Sequence, residues 1–574
     1  MNPAELASER AIASVFASLD RGENFLLEAG PGAGKTFSLV KALQRLIERK
    51  RVVMPRRHQR IACITFTNVA KDEIEARTEK SPIIYCDTIH GFCWSLIGGF
   101  QKQLREELPL LGDWPGRLEE AGVKAIGIVE YALGHRRVAA DKVTIGHDDV
   151  LLLAIAFLAK PKFRRIMADR FPLILIDEYQ DANAGWMDSL KAHMFGTAGG
   201  PQIGLFGDHW QKIYGDGCGR VQHPSLIPIP LNANFRSCPA IVASLNRMRP
   251  ELPQDVVDPN APGSVVVFHT NNWPEKRLDG PHWKGDLPPE AAHLALTKTK
   301  AYLSEQGWDL GAGPTKILML THRVLAAEQG YGTFPGVFRF NEAFAKKEDV
   351  HVAFFVDKLE PACDALEAKK YGEMLAFLEQ GSPPIKDPAD KARWSDVMQK
   401  LTTLRSTGTV AEVLAHLRST GLPILPEAVL DRERKLERLL QTKEELPSHI
   451  DELKKLHSVP YSEVKALRAY LDGHSPFETN HGVKGAEFEN VLVVVGRGWN
   501  RYNFCEMLEL VPSADSLSST KREAFERNRN LFYVACSRPK RRLAVLFTQV
   551  VSQEAMATLH GWFGAQAVKP LSQS

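Results

Sequence analysis

Ala29-Gly30-Pro31-Gly32-Ala33-Gly34-Lys35-Thr36 decides the fold. Residues 24–29, Asn-Phe-Leu-Leu-Glu-Ala, read as a buried strand ahead of it, and 38–51 read as a helix behind it. The glycines let backbone N–H groups turn inward around phosphate oxygens, and the helix N-terminus that follows favours negative charge. A strand, a glycine-rich turn and a helix opening on Lys-Thr form a P-loop. Lys35 then reaches the β- and γ-phosphates of ATP, and Thr36 holds Mg²⁺. Gly30, Pro31, Gly32, Ala33, Gly34 and the following Phe37 complete the candidate nucleotide contacts.

Working outward, short apolar runs recur at 61–66, 171–176 and 203–206, with helical stretches between them. That spacing implies a parallel sheet with helical crossovers. The run 173–176 delivers Asp177 and Glu178 to the phosphate end of the sheet. Asp177 is placed to hold Mg²⁺, and Glu178 to orient and deprotonate an attacking water. A base beside the metal ligand favours hydrolysis over transfer to a bound acceptor, which disfavours a P-loop kinase. Strand-like runs return at 317–320, 491–495 and 543–547, around a charged, helical segment of about 330–475. A second α/β domain, split by an insertion, follows from that pattern.

Composition bounds the rest. The 574 residues suggest about three or four domains. Lys+Arg 72 against Asp+Glu 69 leaves a net charge of +3, so nucleic acid binding requires a local basic groove and not global attraction. None of the eight cysteines forms a Cys-x-x-Cys pair, which argues for reduced core thiols. The first 20 residues contain acidic side chains and no unbroken apolar stretch, unlike a signal peptide. The longest apolar run, 150–159, is shorter than the roughly 18 residues a membrane span needs. A soluble cytoplasmic protein without membrane contact is expected.

Past Asp177 the motifs become more specific. Asp177-Glu178-Tyr179-Gln180-Asp181 resembles motif II of the UvrD/Rep branch of superfamily 1 helicases. Further motifs follow in that family's order. Thr65-Phe66-Thr67-Asn68 resembles motif Ia, and Thr88-Ile89-His90-Gly91-Phe92-Cys93 resembles Ib. Gly207 to Tyr214 is similar to motif III, and Leu231 to Ser237 to motif IV. Thr479 to Phe488 is similar to motif V, and Asn530 to Arg538 to motif VI.

The resemblance implies an α/β fold of two RecA-like P-loop NTPase domains with parallel sheets, each interrupted by a helical insertion. Its division places a first motor domain at 1–99 and 161–245, with a small helical insertion at 100–160. A second motor domain takes 246–330 and 476–574, with a larger helical insertion at 331–475. It assigns Gln211 to sensing the γ-phosphate or positioning water. Arg236 and Arg538 become arginine fingers, and Glu487 accepts hydrogen bonds from the ribose. The implied activity is ATP-driven 3′ to 5′ movement on single-stranded DNA with duplex unwinding.

A single strand needs stacking rings and backbone donors along a groove. Thr65, Phe66, Thr67, Asn68, His90, Phe92, Tyr214, His481 and Lys484 are the candidates, with core packing the competing reading for the aromatic rings. Some positions depart from the family. The first 20 residues lack the adenine-reading glutamine, Phe37 stands where an arginine is common, and Phe235 replaces a tyrosine. Asp216 stands where a base-stacking tryptophan is common, with Trp210 a compensating candidate. The chain ends 36 residues after Arg538, so a nuclease is expected as a separate partner. Short insertions look like the UvrD-like subunits of bacterial antiviral systems, such as that of Gabija. In the alternative reading, such a subunit senses DNA or nucleotide and regulates a partner nuclease, and a repair partner is equally compatible.

Overall fold

The computed structural model describes all residues except 124–125, 133–135, 140, 214, 281–282, 320–321, 341, 379–386, 443–444, 474–475, 480–484, 497–501 and 573–574. They form two compact units. The first comprises Met1–Val265, Glu506–Arg542 and Gln553–Ala567, and the second Val266–Cys505, Leu543–Ser552 and Val568–Ser574.

The first unit is built on a six-stranded sheet. Its order is Ile84–Thr88, Ile61–Thr65, Leu173–Asp177, Gln202–Gly207, Phe25–Ala29 and Ile227–Leu231. Every neighbouring pair runs parallel. Alternate side chains enter two separate cores. Leu26, Ile64, Ile174, Ile176 and Leu205 pack on one face, and Phe25, Leu27, Cys63, Leu173, Leu175 and Phe206 on the other. Both faces are therefore buried, which is why these strands read as continuous apolar runs. The sheet aligns the C-terminal ends of Phe25–Ala29 and Leu173–Asp177, with one strand between them, and that edge is where doubly wound sheets bind ligands.

Two expectations need adjusting. The stretch 100–160 is not wholly helical. Ile128–Tyr131 runs parallel to Lys142–Ile145, which also pairs antiparallel with Arg137–Val138. Val129, Val143 and Ile145 seal this small sheet against the helices, and its β-branched alternation is the signal that the helical reading overlooked. Residues 506–542, expected within the second motor domain, pack with the first unit. Helix Ser519–Cys536 lies against the 209–211 turn, where the Trp210 and Tyr533 rings meet edge-on at 5.2 Å.

The second unit carries another six-stranded sheet, in the order Phe477–Thr479, Thr315–Met319, Phe488–Val495, Pro539–Phe547, Ser264–His269 and Val568–Pro570. Between Thr315–Met319 and Phe477–Thr479 lies the expected helical insertion. The segment 427–457 forms two helices, Glu427–Thr442 and Ser448–His457, with Pro447 capping the second. All eight cysteines are free and seven are buried, as expected of reduced core thiols. Among the described residues, no helix is long and apolar enough to cross a membrane.

The insertion buries an ionic cluster. Glu433, 3% exposed, accepts from His351 Nε2 at 3.1 Å and His457 Nε2 at 2.9 Å. Burial opposes its charge, but the two imidazoles outweigh that and hold its carboxyl down at about 2. Because the folded value lies below the ordinary 4.5, the stabilisation is present above that value and disappears as pH falls toward 2. We expect the unfolding free energy of this unit, measured by denaturant titration, to fall between pH 5 and 2 by up to about 3 kcal/mol. Glu433→Gln should flatten that dependence; an unchanged pH profile in the variant contradicts the assignment.

Candidate nucleotide-binding site

The P-loop closes through two left-handed glycines, Gly32 (φ 72°) and Gly34 (φ 82°). A side chain at Gly32 would also meet Arg236 Cβ at 2.7 Å. Helix Lys35–Lys50 starts immediately after, so Lys35 and Thr36 lie in its first turn. Lys35 Nζ sits 2.5 Å from Glu178 Oε1 and 3.8 Å from Asp177 Oδ1. Burial works against the Lys35 charge, but the two carboxylates outweigh it and raise its pKa.

Asp177 is buried, and burial pushes it up to about 6 despite Lys35. Its Oδ1 has no hydrogen-bond partner. A buried, unsatisfied hard oxygen beside a threonine-bearing helix turn suits Mg²⁺. Glu178 adopts a left-handed backbone (φ 48°, ψ 44°), which costs a non-glycine residue about 1–3 kcal/mol. Buried Gln180 clamps it, donating to Glu178 Oε2 at 2.5 Å while its Oε1 accepts from Asp208 N at 3.0 Å. One side chain thus ties motif II to motif III.

Gln211, buried in the 209–211 turn, donates to Asp208 Oδ2 at 2.9 Å. Arg538, 1% exposed, donates to Gln211 Oε1 at 3.4 Å, to Ser537 Oγ at 3.0 Å and to the Val534 carbonyl at 3.0 Å. Burial, with Arg236 beside it, lowers Arg538 to about 9, so it stays charged at neutral pH. Arg236 donates to the Ser537 carbonyl at 3.2 Å. The two guanidiniums therefore converge within one unit, on the side of Gln211 and Glu178. The Phe235 and Phe37 side chains, both exposed, flank the position of Gly34.

Gln254, which no motif marks, and Asn234, inside the motif IV segment, secure this arrangement. Buried Gln254 donates to the Pro31 carbonyl at 3.1 Å and the Ala233 carbonyl at 2.8 Å. Asn234 Nδ2 donates to Gln254 Oε1 at 3.1 Å, while Asn234 Oδ1 accepts from the Arg236 and Ser237 amides. This pair joins the P-loop to the Arg236 segment.

The nucleic-acid candidates divide. Strands Ile61–Thr65 and Ile84–Thr88 are neighbours in register, Thr65 opposite Thr88, so their following helices start side by side. Phe66, Thr67 and Asn68 are exposed at one helix start, and Thr67 caps it by accepting from Ala70 N. Half-buried His90, at the other, stacks on His147 at 3.6 Å; burial and His147 lower it to about 4, leaving it neutral. Two candidates are corrected. Phe92 is 1% exposed, packed on Phe171 at 5.4 Å, and cannot stack a base. Thr65 is buried, with its hydroxyl donated to the Thr67 carbonyl. Trp210 is likewise buried, covered by Tyr533 and by Arg529 at 3.8 Å, so it does not compensate for exposed Asp216. Tyr214, His481 and Lys484 lie outside the described residues. Glu487 is exposed and belongs to the second unit.

Residues 12–216, which include the P-loop, Asp177, Glu178 and Gln211, match the family model described as an AAA domain. Over almost its whole length the chain is also similar to the Gabija protein GajB of Bacillus cereus (strain HuB5-5), with 24% identity over 95% of this chain and 96% of that protein. Both matches bear out the resemblance drawn from the motifs.

Gly32→Ala should weaken nucleotide binding by about tenfold or more, since a Cβ there is both strained and in collision. Titration with a fluorescent ATP analogue measures this, and wild-type affinity in the variant contradicts the geometry.

Proposed function

We propose that the chain is a superfamily 1A ATPase that hydrolyses ATP to move 3′ to 5′ along single-stranded DNA and unwinds duplex. The observation that carries this reading is that Lys35 pairs with the Asp177 and Glu178 carboxylates, while Arg538 reaches Gln211, lies beside Arg236 and feels the charge of Glu178. A nucleotide sensor without turnover has no need of a general base and two buried or half-buried guanidiniums together.

In this mechanism the P-loop amides and Lys35 bind the triphosphate. Thr36 and Asp177 would hold Mg²⁺, which neutralises charge on the β- and γ-phosphates. Glu178 takes the proton of the attacking water on a carboxylate oxygen, and Gln211 orients that water. Arg236 and Arg538 donate hydrogen bonds to the γ-phosphoryl oxygens as charge spreads over them. Phe37 and Phe235 offer apolar faces to the base, a recognition without the hydrogen-bond readout that the missing N-terminal glutamine would give. A division into two motor domains, with 506–542 in the first, and two insertions belongs to this proposal, with Glu487 supplying the ribose contact. Arg538 directly precedes the strand Pro539–Phe547, most of which lies in the second unit's sheet, so nucleotide state can be coupled to that unit through the backbone.

For the strand, the exposed 66–68 segment, His90, Tyr214, His481 and Lys484 remain the proposed contacts. The paired helix starts after Thr65 and Thr88 supply backbone donors for phosphate. The similarity to a Gabija protein supports a second reading, an ATPase subunit of an antiviral complex that regulates a separate nuclease.

Lys35→Ala and Glu178→Gln should each abolish ATP turnover, with Glu178→Gln still binding nucleotide. A phosphate-release assay with and without single-stranded DNA measures this; wild-type turnover in either variant contradicts the site. Strand displacement on a 3′-tailed duplex separates the two readings. Displaced strand is expected from a helicase, whereas DNA-stimulated turnover without displacement favours the regulatory subunit.

A further inference from the structure

Arg249 belongs to no motif, yet it is among the most deeply buried side chains of the first unit, at 1% exposure. Its guanidinium bridges two carboxylates, donating to Asp208 Oδ1 at 2.5 Å and to Glu28 at 2.5 Å, with Nε toward Glu251 at 3.3 Å. Burial opposes its charge, but these carboxylates raise its pKa well beyond the ordinary value. Glu28 is the penultimate residue of the strand entering the P-loop, and it also bonds His209 Nδ1. Asp208 caps the 209–211 turn by accepting from Trp210 N, and its other oxygen accepts from Gln211 Nε2. The Gln211 side chain is therefore held by a carboxylate that Arg249 itself holds.

The same guanidinium lies 5.3 Å from the Trp210 ring centroid, while Arg529 covers that ring at 3.8 Å and Tyr533 meets it edge-on. Arg529 and Tyr533 belong to helix Ser519–Cys536, which also sends Asn530 Nδ2 to the His209 and Lys212 carbonyls and leads directly to Arg538. Glu28, Asp208 and His209 lie close enough together to suggest a cation site, but Arg249 already supplies the positive charge there.

We infer that Arg249 is a positioning residue for hydrolysis: by clamping Asp208 and Glu28 it fixes Gln211, and through the Trp210 turn it seats the helix that presents Arg538. This rests on the ATPase reading above. Lysine cannot replace it fully, because an ammonium lacks the planar fork that spans two carboxylates. Misplacing Gln211 by about an ångström is sufficient to slow chemistry by roughly ten- to a hundredfold without touching the groups that bind the triphosphate.

The test is a double-mutant cycle on the full chain, reading kcat and KM for ATP together with nucleotide affinity. Arg249→Gln should lower kcat by about ten- to a hundredfold while KM and affinity change by less than about threefold. Arg249→Lys should recover part of that loss. In a Gln211→Ala background, Arg249→Gln should reduce kcat little further, because both substitutions act on one group. Should Arg249→Gln fail to fold, as a melting curve will show, Arg249→Lys carries the cycle, since it keeps the buried charge. Wild-type kcat in both Arg249 variants overturns the inference, as does an equal loss with and without Gln211. A wild-type chain that binds ATP but never turns it over overturns both this inference and the ATPase reading, whereas turnover with an additive cycle overturns the inference alone.

Discussion

The ion cluster of Lys35 with Asp177 and Glu178 is the constraint on which the rest of the first unit depends. Two carboxylates are gathered within 3.8 Å of the Lys35 ammonium at the end of a sheet buried on both faces. Such a gathering survives only where the charges are mutually compensated, since isolated buried charge is costly. The sheet makes it geometrically unavoidable. The Phe25–Ala29 and Leu173–Asp177 strands are parallel and separated by one strand, so their C-terminal residues emerge on the same edge. The left-handed turn at Glu178 and the two left-handed glycines of the P-loop are backbone distortions concentrated where that edge must approach a ligand.

Around the cluster, each charged or sensing group is held by a neutral or oppositely charged neighbour. Gln180 holds Glu178, Asp208 holds Gln211, Arg249 holds Asp208, and Gln254 with Asn234 holds the P-loop against the Arg236 segment. Because these bonds are buried, they are rigid and little screened by salt. Preorganisation of this kind lets donors face developing charge without reorganising at the moment of reaction.

The strands bearing the P-loop and Asp177 were legible because burial on both faces leaves unbroken apolar runs, and the chemistry sits at their ends. Two edge strands escaped that logic. Ile227–Leu231 contains two prolines, tolerable only because it lies at the sheet edge, and Ile84–Thr88 mixes tyrosine, cysteine and aspartate. The motifs mark the candidate ligand-facing groups and some of their supports, Gln180, Asp208 and Asn234, but not the others. Arg249 and Gln254 lie beyond motif IV, and only the folded chain brings them under Asp208 and Pro31. Burial also separates Phe92 and Thr65 from their motif neighbours Phe66 and His90, a distinction invisible in a string of adjacent letters.

The most direct test of the central claim is a determined structure of the full chain with ADP, Mg²⁺ and a fluoroaluminate in place of the transferred phosphoryl group. The account predicts Lys35, Gln211, Arg236 and Arg538 within hydrogen-bond reach of the fluorides or the in-line water, and Glu178 on that water. Arg538 turned to a different cavity from Lys35, with the fluoroaluminate held by the P-loop alone, would contradict it.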